Sequence, residues 1–204
     1  MEETAPRQPM LCEFMPEDYF GQVDGMTIFG NDNPLEVDLG CGDGKFVIEM
    51  AQHYPDRNFL AVERLLGRVK KVCRKAERLG LTNVKVLRLD SKYTVEWLLR
   101  DASVSRLHLL CPDPWPKDRH HKRRLVQVSF FHALKRILVK GGEFCFKTDH
   151  PEYFEWSCER GEEFGAFPVL EWPEDAFYYP KTDFQLQWEA EGKPMHRRRF
   201  QNPA

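Results

Sequence analysis

A chain of 204 residues, 42% hydrophobic and 30% charged, can bury about two-thirds to three-quarters of its unfolded surface in one core, and it contains neither repeats nor a low-complexity tract. No apolar run approaches the roughly 18 residues of a membrane span, and Glu2, Glu3 and Arg7 interrupt any secretory leader, so the expected location is the cytoplasm. The net charge of −2 excludes a uniformly basic polyanion binder, yet Lys and Arg crowd residues 57–78 and 117–140 while acids crowd the stretch from Glu152 to Glu191, so charge is polarised by position.

Residues 1–33 lack periodicity, broken by Pro6, Pro9, Pro16, Gly21, Gly25 and Gly30, and read as an N-terminal arm over a main domain at 34–204. From Leu35 onward, short apolar runs alternate with helical patterns. Leu35–Leu39, Phe59–Val62, Val84–Leu89, Arg106–Cys111 and Glu143–Thr148 are expected as five strands. Such alternation implies βαβ crossovers and an α/β fold, a mostly parallel sheet with helices on both faces. Segments at Phe184–Glu189 and Arg197–Phe200 are expected to add antiparallel edge strands. The spacing also predicts a helix over Leu65–Leu79, with Leu65, Val69, Val72, Cys73, Ala76 and Leu79 facing the sheet. Its separate stripe of Arg64, Arg68, Lys71, Lys75 and Arg78 fits either RNA contact or a solvated face. The six cysteines (Cys12, Cys41, Cys73, Cys111, Cys145, Cys158) show no Cys-x-x-Cys pair, so reduced thiols are expected, with neither a disulfide frame nor a metal site.

The first expected strand runs into Asp38-Leu39-Gly40-Cys41-Gly42-Asp43-Gly44-Lys45, ahead of a helix to about His53. Glycines at alternate positions let the backbone turn sharply and approach a ligand. A dinucleotide fingerprint would place its third glycine where Lys45 stands, which disfavours a dehydrogenase. With an acid two residues before Gly40, this loop resembles motif I of class I S-adenosylmethionine-dependent methyltransferases. Glu63, ending the second strand, is placed to accept both ribose hydroxyls of an adenosine. Asp90, ending the third, stands where such folds reach the adenine amino group, or it caps the following helix. Open α/β sheets bind ligands outside the carboxyl ends of their strands, where all three acids fall.

The fourth strand delivers Pro112-Asp113-Pro114-Trp115-Pro116-Lys117 to that same edge, with two prolines fixing the backbone around Asp113. Followed by Arg119-His120-His121-Lys122-Arg123-Arg124-Leu125-Val126-Gln127, and with Thr148-Asp149 after the fifth strand, this resembles the signature of the bacterial tRNA (guanine-N7)-methyltransferase family across roughly Leu35 to Tyr153. The resemblance implies a Rossmann-like fold, S-adenosylmethionine as cofactor, tRNA as partner without metal or membrane, and methylation of a variable-loop guanine at N7. It also implies that Asp38, Gly40, Gly42, Gly44, Glu63, Asp90 and Asp113 line the cofactor side, with Asp113 the active-site acid. Lys117, Arg119, Lys122, Arg123, Arg124 and Asp149 would then meet the substrate.

The family's Thr-Lys-Phe-Glu segment near the C-terminus corresponds here to Thr182-Asp183-Phe184-Gln185, expected to bind substrate. A cation is replaced by an anion and a charged acceptor by a neutral one. The tail Met195 to Phe200 could supply compensating positive charge. Guanine N7 already carries an in-plane lone pair, so Asp113 is expected to hold the base through its N1–H and 2-amino group more than to remove a proton. Trp115 reads either as a stacking surface for that base or as a packed aromatic under the loop. Two rival functions fit the same residues: a methyltransferase of this fold acting on another nucleobase or a protein amide, or a non-catalytic RNA-binding module.

Overall fold

The computed structural model describes residues 10–203 and arranges them around an eight-stranded sheet. The strands are Glu13–Phe14 (β1), Leu35–Leu39 (β2), Asn58–Val62 (β3), Val84–Leu87 (β4), Val104–Leu110 (β5), Leu138–Thr148 (β6), Val169–Leu170 (β7) and His196–Gln201 (β8). Their order is β1-β4-β3-β2-β5-β6-β8-β7. The first six run parallel, and β8 and then β7 complete an antiparallel edge. All five expected parallel strands form. β6 starts early, at Leu138, because Leu138 pairs with Val104 before a register shift in β5.

The segment expected as an arm is woven in from Met10 onward; residues 1–9 lie outside the described residues. β1 pairs with β4, Val23 bridges Leu99, and Ile28, from the short helix Gly25–Phe29 (α1), is buried in the core.

Helices Lys45–His53 (α2) and Leu66–Arg78 (α3) pack on one face, burying Phe46, Val47, Met50, Val69, Val72, Cys73 and Ala76 against Phe59, Ala61, Val84 and Val86. Leu65 and Leu79, expected on the same buried stripe, are 52% and 43% exposed because they cap the helix rather than sit within it. On the other face, Val128–Ile137 (α5) and Pro151–Phe164 (α6) cover Leu107, Leu109, Phe144, Phe146 and Phe200, following a single turn at Ser91–Tyr93 (α4). Among the described residues no helix is long and apolar enough to cross a membrane.

The expected strand at Phe184–Glu189 is instead a helix, Asp183–Ala190 (α7). The side chain of Thr182 caps it by accepting from the Gln185 amide at 3.0 Å, and Gln185 bonds Glu189 one turn on at 2.8 Å. Phe184 and Leu186, which alternate as in a strand, are 44% and 43% exposed. The sheet edge that they would have needed is taken by β7. The second expected edge strand forms as β8.

Candidate active site

Parallel pairing brings the carboxyl ends of β4, β3, β2, β5 and β6 side by side, so Asp90, Glu63, Asp38, Asp113 and Asp149 follow one another along a single edge. At about 4.8 Å per strand this edge spans ~19 Å. The glycine loop leaves β2 at its centre, anchored by Gly40 and Cys41 amides donating to the Val62 carbonyl at 2.9 and 3.1 Å.

Gly44 has φ +79°, and a Cβ there would meet Val72 Cγ2 at 2.6 Å, so only glycine lets α2 start this close to α3. Gly40 and Gly42 also have positive φ, but a Cβ on either would meet nothing within 4 Å. Gly40 is exposed, as a ligand cradle requires, whereas Gly42 is buried with only the direction of its missing Cβ clear. Asp43, between them and Gly44, is held by Lys71 at 2.8 Å, while Lys75 donates to its carbonyl at 2.7 Å. Lys71 and Lys75 of the basic stripe on α3 are therefore spent on the loop, and Arg68 stands 3.9 Å from the Asp43 carboxylate.

Asp38 is buried, and its Oδ2 meets no hydrogen-bond donor among the described residues. Burial first, and the neighbouring Glu63 carboxylate second, push its carboxyl up from 3.8 to about 7. Glu63 accepts from the Leu65 amide at 2.8 Å and faces Arg68 at 3.6 Å. Asp90 is exposed; one oxygen caps α4 by accepting from the Tyr93 amide at 3.0 Å. It also borders an open cavity of about 460 Å³ lined by Phe14, Met15, Tyr19, Arg64 and Arg88, so the described part of the arm contributes a wall. These residues fit an adenosyl cofactor: acceptors stand at three strand ends, open backbone lies at Gly40, and a buried carboxylate oxygen awaits a donor.

The loop after β5 is strained at both ends, since Cys111 and Trp115 hold φ of +48° and +46°. Such conformations cost of order 1–3 kcal/mol each and persist only where the surroundings enforce them. Here the Cys111 amide donates to the Lys147 carbonyl at 2.8 Å. Arg124 donates to the Pro114 carbonyl at 2.8 Å and to Glu152 at 3.0 Å, with Tyr153 and Trp156 rings against its guanidinium. Arg124, expected to meet the substrate, has its side chain buried beneath the loop, where it pins Pro114. Lys117, Arg119, Lys122 and Arg123 remain exposed on and beside the 3-10 helix Asp118–Arg123, and Asp113 is exposed between its prolines. Trp115 is half-buried, with Arg123 5.0 Å from its ring centroid, an arrangement that leaves it partly accessible.

The Thr182 segment reaches the same edge. Burial pushes the Cys111 thiol up to about 11, with the Thr182 side chain close enough to lower it and the Asp149 charge raising it. Gln185 is buried and bonded within α7, Phe184 is exposed, and Asp183 acts electrostatically on Lys45 at the start of α2. Of the tail, His196 and Arg197 pair with Thr148 and Lys147, next to Asp149, while Arg199 is committed to Glu143.

Sequence reasoning missed the charged half of the sheet. On the face that carries α2 and α3, the strands beyond β3 present Glu36, Arg106, His108, Glu143, Lys147 and Arg199. His108 bridges Glu36 and Tyr179 at 2.8 Å each. Lys147 lies under the rings of Tyr179 and Trp172, and desolvation lowers its ammonium to about 8. The even spacing of Arg106 with His108 and of Glu143 with Lys147 was the available signal.

A family model described as "Putative methyltransferase" matches residues 32–198. The chain is 41% identical over 180 residues to the tRNA (guanine-N(7)-)-methyltransferase of Syntrophotalea carbinolica, spanning 85% of this chain and 76% of that one. It is 37% identical over 188 residues to the protein of the same name from Bacillus subtilis, spanning 89% and 86%. Among solved structures it resembles the 16S rRNA methyltransferase KamB with a TM-score of 0.61, across 85% of this chain and 88% of that one, at 18% identity, a likeness of fold.

Proposed function

The chain belongs to the family of tRNA (guanine-N(7)-)-methyltransferases, and on that premise we propose that the acidic edge formed by β4, β3, β2, β5 and β6 sets S-adenosylmethionine against a variable-loop guanine of tRNA. The reaction is methyl transfer to guanine N7. When bound, the cofactor supplies a methyl carbon on a sulfonium, already activated for displacement. Asp38 accepts from a donor on the cofactor, Glu63 takes the ribose hydroxyls, Asp90 takes the adenine amino group with its free oxygen, and Gly40 admits the ligand against bare backbone.

Guanine N7 carries its own lone pair, so no residue need act as a strong base. The protein's task is alignment, which contributes on the order of 7–11 kcal/mol when reacting atoms are held in attack geometry. Asp113 holds the base by accepting from its N1–H and 2-amino group, and Asp149 shares that work from the next strand end. The strained, proline-bracketed loop pinned by Arg124 keeps Asp113 from wandering. Extruding a base from folded RNA costs a few kcal/mol, offset in part by stacking on Trp115. Lys117, Arg119, Lys122 and Arg123 contact phosphates.

The observation that carries this reading is the alignment of five carboxylates at adjacent parallel strand ends, with the glycine loop at the centre. Pure protein, unmodified tRNA and methyl-labelled cofactor test it, with the product mapped by cleavage at alkali-labile 7-methylguanine. Asp113→Ala is expected to abolish transfer while retaining affinity for S-adenosylhomocysteine. Full activity in that variant would remove Asp113 from the mechanism.

A further inference from the structure

Tyr179 lies three residues before Thr182, and its hydroxyl is tied into the middle of the sheet. His108 on β5 is fully buried, and both of its ring nitrogens are engaged, Nδ1 with the Tyr179 hydroxyl and Nε2 with Glu36 Oε2, each at 2.8 Å. The other Glu36 oxygen receives Arg57 at 2.8 Å and Arg106 at 3.4 Å. Arg106 in turn meets Glu143 at 2.8 Å, and Glu143 meets Arg199.

The proton positions follow from charge. Burial opposes ionisation of Glu36, but His108, Arg106 and Arg57 outweigh it and hold its carboxyl below the ordinary value. An ionised Glu36 only accepts, so Nε2 of His108 carries the hydrogen. Desolvation keeps that imidazole neutral, and Nδ1 is left as an acceptor for the Tyr179 O–H. Every link is satisfied in one direction, which makes the placement of Tyr179 specific.

The chain on either side makes contacts of its own. Tyr178 stacks on His53 of α2 with centroids 4.0 Å apart, and its carbonyl accepts from the Tyr54 hydroxyl at 3.3 Å. Pro180 is buried and fixes one dihedral of the short connection to Thr182. Three residues reach at most ~10 Å, so where Tyr179 is held bounds where Thr182 lies near Cys111.

We propose that Tyr179 is a positioning residue, locking the Thr182–Gln185 segment at the catalytic edge through its hydrogen bond to His108. This rests on the reading of that segment as part of the tRNA site. Tyr179 also packs on Phe46 and Trp172, with centroids 4.8 and 4.9 Å away, so a bulk-packing role must be separated from the hydroxyl's role.

Tyr179→Phe makes that separation, because it keeps the ring. The expected result is a KM for tRNA raised about tenfold, with kcat changed by less than about threefold and S-adenosylhomocysteine affinity within about twofold. His108→Leu is expected to repeat the effect, and His108→Asn, whose carbonyl oxygen reaches the Nδ1 position, to restore much of the tRNA KM. Amide hydrogen exchange over residues 182–190 supplies a readout independent of turnover, with faster exchange in Tyr179→Phe and unchanged protection in β5. An unaltered tRNA KM together with unaltered exchange in Tyr179→Phe overturns the proposal, as does an equal loss of cofactor affinity. If wild-type protein fails to methylate tRNA, the proposed function falls, and the exchange measurement alone still decides whether Tyr179 fixes the segment.

Discussion

Asp38 opposes stability to binding, and the conflict can be measured. Its carboxyl lies near 7 in the folded protein against 3.8 as the ordinary value. Across that interval the folded state keeps a proton that the unfolded chain releases, so stability falls as pH rises. The contribution is whole below the unfolded value, is lost progressively up to about pH 7, and is constant beyond it. The accumulated penalty above pH 7 is ~4 kcal/mol. Asp38→Asn removes the charge and keeps the shape, but it leaves an amide with few partners, at a cost of about 1–3 kcal/mol. The net expectation near pH 8 is a gain of about 1–3 kcal/mol, or a Tm higher by roughly 2–12 °C for a chain of this size. Near pH 4, where Asp38 is protonated, that advantage disappears. The same variant should lose at least about tenfold in S-adenosylhomocysteine affinity by calorimetry, and wild-type affinity should rise as pH passes through 7. A Tm difference that is identical near pH 4 and pH 8, or an Asn variant that unfolds first at pH 8, would refute the burial argument.

Gly44→Ala places a methyl 2.6 Å from Val72 at φ +79°, so strain and overpacking together should cost about 2–5 kcal/mol. Denaturant unfolding checks this, with Gly40→Ala, which has open space, losing only about 1–2 kcal/mol and Gly44→Ala/Val72→Ala recovering the steric part. Arg124→Ala should lower stability by about 1–3 kcal/mol by stranding the Pro114 carbonyl, and it should slow methylation by loosening the loop that carries Asp113. Arg119→Ala and Lys122→Ala, on exposed side chains, should leave Tm unchanged, weaken tRNA binding and each reduce the salt slope of affinity by about one. An unchanged Tm in Arg124→Ala, or unchanged salt slopes in the other two, would contradict these assignments.

The parallel strands and the acids at their ends were legible because each rests on local pattern: an apolar run, a turn, and a carboxylate where the run stops. The C-terminal region was not. Phe184, Leu186 and Trp188 alternate as a strand would, and only the Thr182 cap and the occupation of the sheet edge by β7 decide for a helix. Arg124 is indistinguishable in sequence from Arg123 beside it. Its burial depends on Tyr153 and Trp156, brought against it by α6, which no feature of the basic run announces.

The charged sheet face shows why the strap from Trp172 to Thr182 lies where it does. Parallel strands are usually apolar on both faces because helices cover both, and α2 and α3 meet that need over β3 and β4. Beyond β3 the same face carries Glu36, Arg106, His108, Glu143, Lys147 and Arg199, most of them paired with one another, and a helix with an aliphatic stripe would offer no partner to the Lys147 ammonium or to Nδ1 of His108. The strap answers with groups suited to buried charge: Phe177 under Arg106 and Arg199, Trp172 and Tyr179 around Lys147, and the Tyr179 hydroxyl on His108. Aromatic faces stabilise desolvated cations, by about 2 kcal/mol or more in favourable cases. A roof held by these contacts keeps Thr182 within ~10 Å of Tyr179, on the side where it lies near Cys111. The polar face of the sheet thus fixes both the cover over the core and the point at which the last segment of the site is delivered.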